Sequence, residues 1–261
     1  MKSIEITLPG LQKKTEIRNL KVKEVDIMTN RAKMSTGEGL DALLDSCMLT
    51  KVGVDSSRMI DGDRNSIMMA VRRATFGDDF DFNANCPHCN ETDTYTVDLS
   101  KFENVVGDQE FIKKTYEWIA KDATLADKSD EKKAHKELEP LFPVELSEGK
   151  KIYFRLETAS DHKKLIKGLK SNAGKTATLK LLLKIKKAEG LPQGAPIKAW
   201  IPEMDWDDLE TFNDAYTKVA PYLDDKIILT CENGLCGEEF ETRLEIKTDT
   251  FFKRSSRKKT S

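Results

Sequence analysis

The chain carries Cys86-Pro-His-Cys89 and, in its second half, Cys231-Glu-Asn-Gly-Leu-Cys236. Each pair lies in a turn between two strand-like stretches, which is how a zinc knuckle presents two thiolates. One pair fills only half of a four-coordinate site, and joining the two pairs is the simplest way to complete it. The sequence therefore predicts one structural Zn²⁺ per chain. The ion would lie in a zinc-ribbon-like site that joins the two halves of the chain. Its predicted ligands are Cys86, Cys89, Cys231 and Cys236.

Two alternatives to a shared metal stay open at this level. The pairs could be reduced turns without metal, or two incomplete sites that are each completed by His88 or by another chain. Four thiolates leave no open coordination position, so a zinc ion held by them cannot activate water. The three histidines do not suggest a Ser/His/Asp or Cys/His catalytic group. We expect His135 and His162 to be solvated because they lie in charge-rich segments. The chain is therefore predicted to be non-enzymatic.

The composition of the chain indicates which partners and which cellular compartment to expect. The 261 residues include 43 Lys+Arg and 45 Asp+Glu, a balance that gives no general attraction to nucleic acid or to an anionic membrane. No apolar stretch approaches the ~20 residues of a membrane helix, and the N-terminus lacks the apolar centre of a signal peptide. We expect a reducing cytoplasm, where paired thiols favour metal over a disulfide. The fifth cysteine, Cys47, lies in an apolar helical stretch and is predicted to be a buried, inert thiol.

The second half of the chain resembles the first. A Gly-containing hairpin leads to Arg18 in one half and to Arg155 in the other, and each then enters a helix at a charged segment. A long helix follows in each half, at Asp61-Gly-Asp63 and at Asp205-Trp-Asp-Asp208, and then a strand, a cysteine turn and a second strand. In the first long helix Ile67, Val71 and Ala74 recur at the spacing of one buried face. Chance similarity of short strands is the alternative to a duplication.

These patterns predict an α+β fold of two similar lobes, each with a β-hairpin, helices and a strand pair carrying a knuckle. The N-terminal lobe spans 1–102, a charged helical linker or insertion spans 103–142, and the C-terminal lobe spans 143–252. A basic disordered tail is predicted over 253–261. In the C-terminal lobe, the stripe of Leu179, Leu182 and Leu183 predicts an amphipathic helix that Gly190 and Pro192 stop. Its apolar face either packs on this protein or binds a partner.

Several stretches of the N-terminal third together resemble the T4-type phage baseplate hub assembly protein family. They are the hairpin ITLPGLQKKTEIRNLKVKE (6–24), the helix LDALLDSCML (40–49), the segment from Asp63 through RRATFGDDFDF (72–82), and CPHC (86–89) before TVDLSKFE (96–103). The positions that match the family pattern are Leu8, Pro9, Arg18, Lys23, Glu24, Arg72, Gly77, Cys86 and Cys89.

The resemblance implies a protein of a contractile-tailed phage, built into the hub of the baseplate or needed to assemble it. It implies other hub proteins or the tape-measure protein as partners, with oligomers in the assembled tail. It also implies the host cytoplasm during assembly, and the tail baseplate of the virion, as locations. The alternative is a zinc-ribbon module that binds nucleic acid through Arg72, Arg73 and the basic tail. Against it, the knuckle strands are rich in acidic residues that repel phosphate. These are Asp81, Glu91, Asp93, Asp98, Glu238, Glu239 and Glu241.

Overall fold

Helices alternate with short antiparallel strands along the chain, as the predicted α+β class requires. The computed structural model describes residues 2–125, 129–244 and 251–252. Within these ranges the strands form five small sheets of two or three strands each. No helix in the same ranges is long and apolar enough to cross a lipid bilayer. The tail 253–261, predicted to be disordered, lies outside the described residues.

The N-terminal part of the chain builds the first hydrophobic core. Its elements are β1 (Ser3–Thr7), β2 (Lys14–Arg18), α1 (Val22–Thr29), α2 (Arg31–Thr36), α3 (Glu38–Cys47), α4 (Asp61–Phe76), β3 (Asp79–Asn85) and β4 (Thr92–Asp98). β1 pairs with β2 and β3 with β4, each as an antiparallel hairpin. Cys47, at the end of α3, is fully buried in this core, and burial raises the pKa of its thiol to about 11. The predicted burial of this cysteine is confirmed.

Helix α4 lies at the centre of the first core, where it contacts β1, β2 and α3. The predicted buried face is confirmed, because Ile67, Val71 and Ala74 are all buried. Polar residues of α4 are buried too, so the helix is enclosed on more sides than its apolar stripe indicates.

Arg72 of α4 is fully buried. Its guanidinium lies over the rings of Phe76 and Phe80, 4.8 and 5.5 Å from their centroids. It also donates hydrogen bonds to the carbonyl oxygens of Gly77 and Asp79, which fixes the turn from α4 into β3. Gly77 has φ +92°, a conformation that favours glycine. A buried guanidinium cannot reach a phosphate, so the part of the nucleic-acid alternative that used Arg72 is wrong.

The middle of the chain builds the second hydrophobic core. Its elements are β5 (Asn104–Val105), α5 (Gln109–Thr124), α6 (Ser129–Glu137), β6 (Phe142–Glu145), β7 (Lys151–Phe154), α7 (Ala159–Ser171), α8 (Thr176–Lys184), β8 (Ile185–Glu189), α9 (Ile197–Trp200), α10 (Trp206–Val219) and β9 (Tyr222–Leu223). Helix α5 contributes Phe111 and Ile112 to this core, and α10 contributes Phe212. Within the predicted linker, therefore, α5 is an integral part of a hydrophobic core.

The predicted amphipathic helix ends earlier than the sequence indicated. Helix α8 stops at Lys184, and Ile185–Glu189 forms strand β8 instead of continuing toward Gly190. β8 pairs with the free edge of β7 and completes the sheet β6-β7-β8. Ile185 is 2% exposed in the second core. Edge pairing and burial of this isoleucine override the local helical pattern.

A buried aspartate at the start of each long helix holds the turn of a hairpin. In α4, Asp63 is fully buried and accepts hydrogen bonds from the backbone N–H groups of Gly10 (2.6 Å) and Leu11 (3.0 Å) in the β1–β2 turn. In α10, Asp208 accepts from the backbone N–H of Ser147 (2.8 Å) and from Lys150 Nζ (3.0 Å) in the β6–β7 turn. In both cores, therefore, a buried aspartate of the long helix joins that helix to the turn of a hairpin.

A buried arginine–carboxylate pair also occurs at the same place in each half. Arg18, at the end of β2, donates to both carboxylate oxygens of Glu24 at 2.7 and 3.1 Å. Arg155, directly after β7, pairs with Asp161. Both carboxylates are fully buried, and both accept a hydrogen bond from the N-cap backbone N–H of the helix that follows the hairpin. These are capping-box contacts, which fix where α1 and α7 begin.

The last described strands return to the first core. β9 pairs with β5, and the hairpin of β10 (Lys226–Thr230) and β11 (Glu239–Arg243) lies against the β3–β4 hairpin. Leu229 and Phe240 are buried there, and the Phe240 ring meets Tyr95 of β4 edge to face at 6.1 Å between centroids. The two cysteine-bearing hairpins therefore share one hydrophobic core. The domain boundaries at 102 and 142 stay a prediction.

Two glycines permit the close approach of this returning chain. A Cβ added at Gly107 would overlap the backbone carbonyl of Val219, and one added at Gly62 would overlap the carbonyl of Pro221. The segment that leaves α10 for β9 thus runs directly against the loop before α5 and against the first turn of α4.

We expect Gly107→Ala to lower the free energy of unfolding by about 1–3 kcal/mol, the usual cost of overpacking a close contact. The obstacle is backbone, which cannot move aside as a flexible side chain can. Urea denaturation of the full chain measures the effect. Gly234→Ala is the matched control, because a Cβ there meets no atom within 4 Å. Equal stability of the two variants would contradict the close approach.

Candidate metal centre

Each predicted knuckle is a tight backbone turn at the tip of a hairpin. In the first, Cys86 donates its N–H to Glu91 O and accepts at its carbonyl from the N–H of Asn90, both at 2.9 Å. In the second, Cys231 donates its N–H to Glu238 O at 2.9 Å. Asn90 has φ +60°, a conformation that asparagine tolerates better than most residues. The turns reverse the chain between β3 and β4 and between β10 and β11.

The structure brings all four predicted cysteines together. Their sulfur atoms lie within 4.8 Å of one another. Cys86 Sγ is 3.9 Å from Cys236 Sγ, and Cys89 Sγ is 3.6 Å from Cys231 Sγ, so each short distance joins one knuckle to the other. A disulfide would need about 2.05 Å. Zinc–sulfur bonds of ~2.3 Å in a tetrahedron place the sulfurs about 3.8 Å apart. The cluster therefore has the spacing of a metal site, and that spacing is compatible with zinc.

The charge states of the thiols favour the same interpretation. Burial raises the pKa of Cys86, but the backbone N–H groups of Cys89 and His88 and neighbouring thiols outweigh it and bring the pKa to about 7. The backbone N–H of Asn233 favours the thiolate of Cys231, yet burial and the neighbouring cysteines raise its pKa to about 12. Four adjacent thiols cannot all ionise unless a cation offsets their charge. A divalent metal supplies that charge and displaces the protons.

Polar contacts outside the cluster join the two knuckles. Asn233 of the second knuckle donates its side-chain N–H to Glu91 Oε2 of the first at 2.7 Å, and the same nitrogen lies 4.0 Å from Cys89 Sγ. Cys86 and Cys231 are buried on the core side of the cluster, and Cys89 is exposed. Hydrogen bonds of this kind hold ligand-bearing turns in register. The sulfurs are thus held by both hairpins and not by one alone.

Two histidines lie in surroundings that the sequence did not indicate. His135 is 5% exposed and stacks on the Trp118 ring at 5.2 Å between centroids, so the expectation that it is solvated is wrong. His162 is 41% exposed at its side chain, but its Nε2 lies 2.7 Å from Asp61 Oδ2. The hydrogen bond to Asp61 raises the pKa of His162. Neither contact has a local sequence signal, because the partners lie on other elements.

A second group of ligand-type side chains lies away from the cysteines. One ligand atom each of Asp61, Glu157 and His162 lies within 4.8 Å of the others. Asp61 begins α4, whereas Glu157 and His162 flank the start of α7. Asp61 is distant in sequence from the other two, 101 residues from His162, which is why the pattern could not reveal the group.

The comparisons with known proteins agree with the N-terminal resemblance and extend it. A family model described as "T4 bacteriophage base plate protein" matches residues 1–253. Neither the curated proteins nor the solved structures contain a match. The family match includes both cysteine turns and both hydrophobic cores. The chain therefore belongs to the T4 bacteriophage base plate protein family.

Proposed function

We propose that the protein is a structural or assembly component of the hub of a contractile phage tail baseplate. The observation that carries this proposal is the family match over residues 1–253, which includes nearly the whole chain. The specific assignment to the hub rests on the resemblance of the hairpin, the helix and the first knuckle. Its partners are other hub proteins or the tape-measure protein, and it acts in the host cytoplasm during assembly and in the virion baseplate.

We further propose that the protein is non-enzymatic and that one structural zinc per chain stabilises it. Cys86, Cys89, Cys231 and Cys236 supply all four ligands. Four thiolates close the coordination sphere, which leaves no position for a substrate or a reactive water. Two of the thiols are buried beside the core that the hairpins share. The metal would therefore tie the end of the chain to its N-terminal part.

The two halves of the chain are proposed to be copies of one lobe. Three matched features support this: the buried arginine–carboxylate pairs, the buried aspartates that hold the hairpin turns, and the cysteine turns. Arg18 with Glu24 has the same separation of six residues as Arg155 with Asp161. Asp63 and Asp208 make the same contact with their hairpins. A duplicated lobe would present two related surfaces to the baseplate.

We expect a phage that lacks this gene to produce few or no complete tails, because the hub would not assemble. Electron microscopy of lysates counts the tails, and the gene supplied from a plasmid is the control. Affinity capture of the tagged full chain from infected cells, with mass spectrometry, then identifies hub or tape-measure proteins. Finished phage particles are then tested for the presence of the chain. Its presence indicates a subunit of the virion, and its absence indicates an assembly factor that leaves. Tails of normal number and shape without the gene would contradict the proposal.

The second candidate is a nucleic-acid-binding module, and one surface favours it. A cavity of about 490 Å³ has six basic and two acidic side chains among its lining residues. The basic ones are Arg58, Lys132, Lys136, Lys164, Lys186 and Arg155, of which Arg155 is buried and paired with Asp161. This cavity lies away from the knuckles, whose strands carry acidic residues. Binding of labelled DNA or RNA that weakens steeply as salt rises would support this candidate over the hub proposal.

A further inference from the structure

The group formed by Asp61, Glu157 and His162 lies where the two cores meet. Asp61 is the first residue of α4, the central helix of the first core. Glu157 follows β7, whose Ile152 and Phe154 are buried in the second core. The Asp61 backbone N–H donates to Glu157 O at 3.3 Å, so the chain segments touch at this point. Any ligand bound by all three side chains would connect the cores.

Two carboxylate oxygens in this group have no hydrogen-bond partner among the described residues. They are Asp61 Oδ1 and Glu157 Oε1, and both are buried. Glu157 as a whole is 7% exposed. A buried carboxylate oxygen without a donor carries a desolvation penalty, so native structures nearly always satisfy such atoms. These two oxygens therefore indicate a missing cation or donor.

The surrounding protein cations leave these oxygens unsatisfied. Lys184 Nζ is 3.2 Å from Glu157 Oε2 and so engages the other oxygen of that carboxylate. His162 engages Asp61 through Oδ2 in the same way. Arg64, one turn along α4, is turned toward Asp41 at 2.9 Å. Among the described residues, Asp61 Oδ1 and Glu157 Oε1 therefore stay without a donor, although the Nε of the nearby Arg64 is itself a buried donor without a partner.

We propose that Asp61, Glu157 and His162 form a second metal site, which binds a divalent first-row transition metal ion. Two carboxylate oxygens and one imidazole nitrogen are ligands that Mn²⁺ and similar ions accept, whereas the four thiolates select zinc. Three protein ligands leave further coordination positions to water, and the 41% exposure of the His162 side chain provides access. The ion would replace the direct His162–Asp61 hydrogen bond and tie α4 to α7. This proposal does not depend on the hub assignment.

Titration of the purified full chain with Mn²⁺ tests the site, after one equivalent of zinc has been supplied to the four thiolates and no excess zinc is left to compete with Mn²⁺. Free Mn²⁺ is read by electron paramagnetic resonance, which does not detect zinc and reports binding without any activity. We expect one bound Mn²⁺ per chain and a rise in melting temperature on binding. Glu157→Gln and His162→Ala should each weaken binding at least tenfold, because each removes a ligand from a three-ligand site.

Two variants serve as matched controls. Glu145→Gln removes an exposed carboxylate on β6, and His88→Ala removes an exposed histidine at the first knuckle. Both should bind Mn²⁺ as the unaltered chain does. If Glu157→Gln fails to fold, His162→Ala still decides, because its side chain is partly exposed. The proposal is overturned if the unaltered chain takes up no Mn²⁺, or if uptake is the same in His162→Ala as in His88→Ala.

Discussion

Replacing Cys86 and Cys89 together with serine is expected to remove all the zinc from the chain, not half of it. The short sulfur–sulfur distances of 3.9 and 3.6 Å each join one knuckle to the other, so neither pair retains a complete site. Structural zinc in small zinc-finger domains contributes about 10–16 kcal/mol at neutral pH, so we expect the unfolding free energy to fall by more than about 5 kcal/mol. Elemental analysis measures zinc per chain, and urea denaturation measures stability.

Replacing Cys231 and Cys236 with serine should give the same loss, and replacing all four should add almost nothing more. This non-additivity is the signature of one shared site. Cys47→Ala is the matched control: it removes a buried thiol outside the cluster, and the chain should keep its full zinc content. Half the zinc in either double variant would contradict a shared site and favour two separate ones. Full zinc in both would exclude the cysteines as ligands.

Arg18→Met is expected to lower the unfolding free energy by about 3–5 kcal/mol, the range for removing one partner of a buried ion pair. Its partner Glu24 is fully buried, so the carboxylate would lose its cation without gaining water. Urea denaturation at pH 7 measures the change. Lys14→Met is the matched control, because Lys14 and Glu5 form an exposed pair at 3.0 Å. Such a pair contributes at most about 1 kcal/mol.

The double variant Arg18→Met with Glu24→Met should be more stable than Arg18→Met alone, because no charge is left buried.

The dependence of the unfolding free energy on pH provides an independent check of this ion pair. Burial alone would raise the pKa of Glu24, but hydrogen bonds from Arg18, Ser46 and Lys21 lower it to about 2, against 4.5 for the free side chain. Its stabilisation is therefore complete above pH 4.5 and is lost as the pH falls toward 2. Equal losses in Arg18→Met and Lys14→Met would contradict this account.

Local patterns in the sequence predicted the elements that their own residues define. The alternating strands around each cysteine turn, the buried face of α4 and the hairpin before each charged helix start all appear in the structure. They could be predicted because turn chemistry and apolar spacing act over a few residues. Strand β8 could not, since Ile185–Glu189 continues a helical pattern and becomes a strand only by pairing with β7. The burial of Arg72 could not be predicted either. It depends on how the rings of Phe76 and Phe80 pack against the guanidinium in the folded chain.

The sequence by itself determined the α+β class, the four cysteines of one cluster and the family to which the chain belongs. These three properties depend on residue types and on short spacings, which can be read directly from the order of residues in the chain. Only the tertiary structure decided that the last hairpin returns to the first core, and that Asp61 meets Glu157 and His162 between the cores. Contacts of this kind join residues far apart in the chain, and their free energy comes from burial and pairing that no local segment contains.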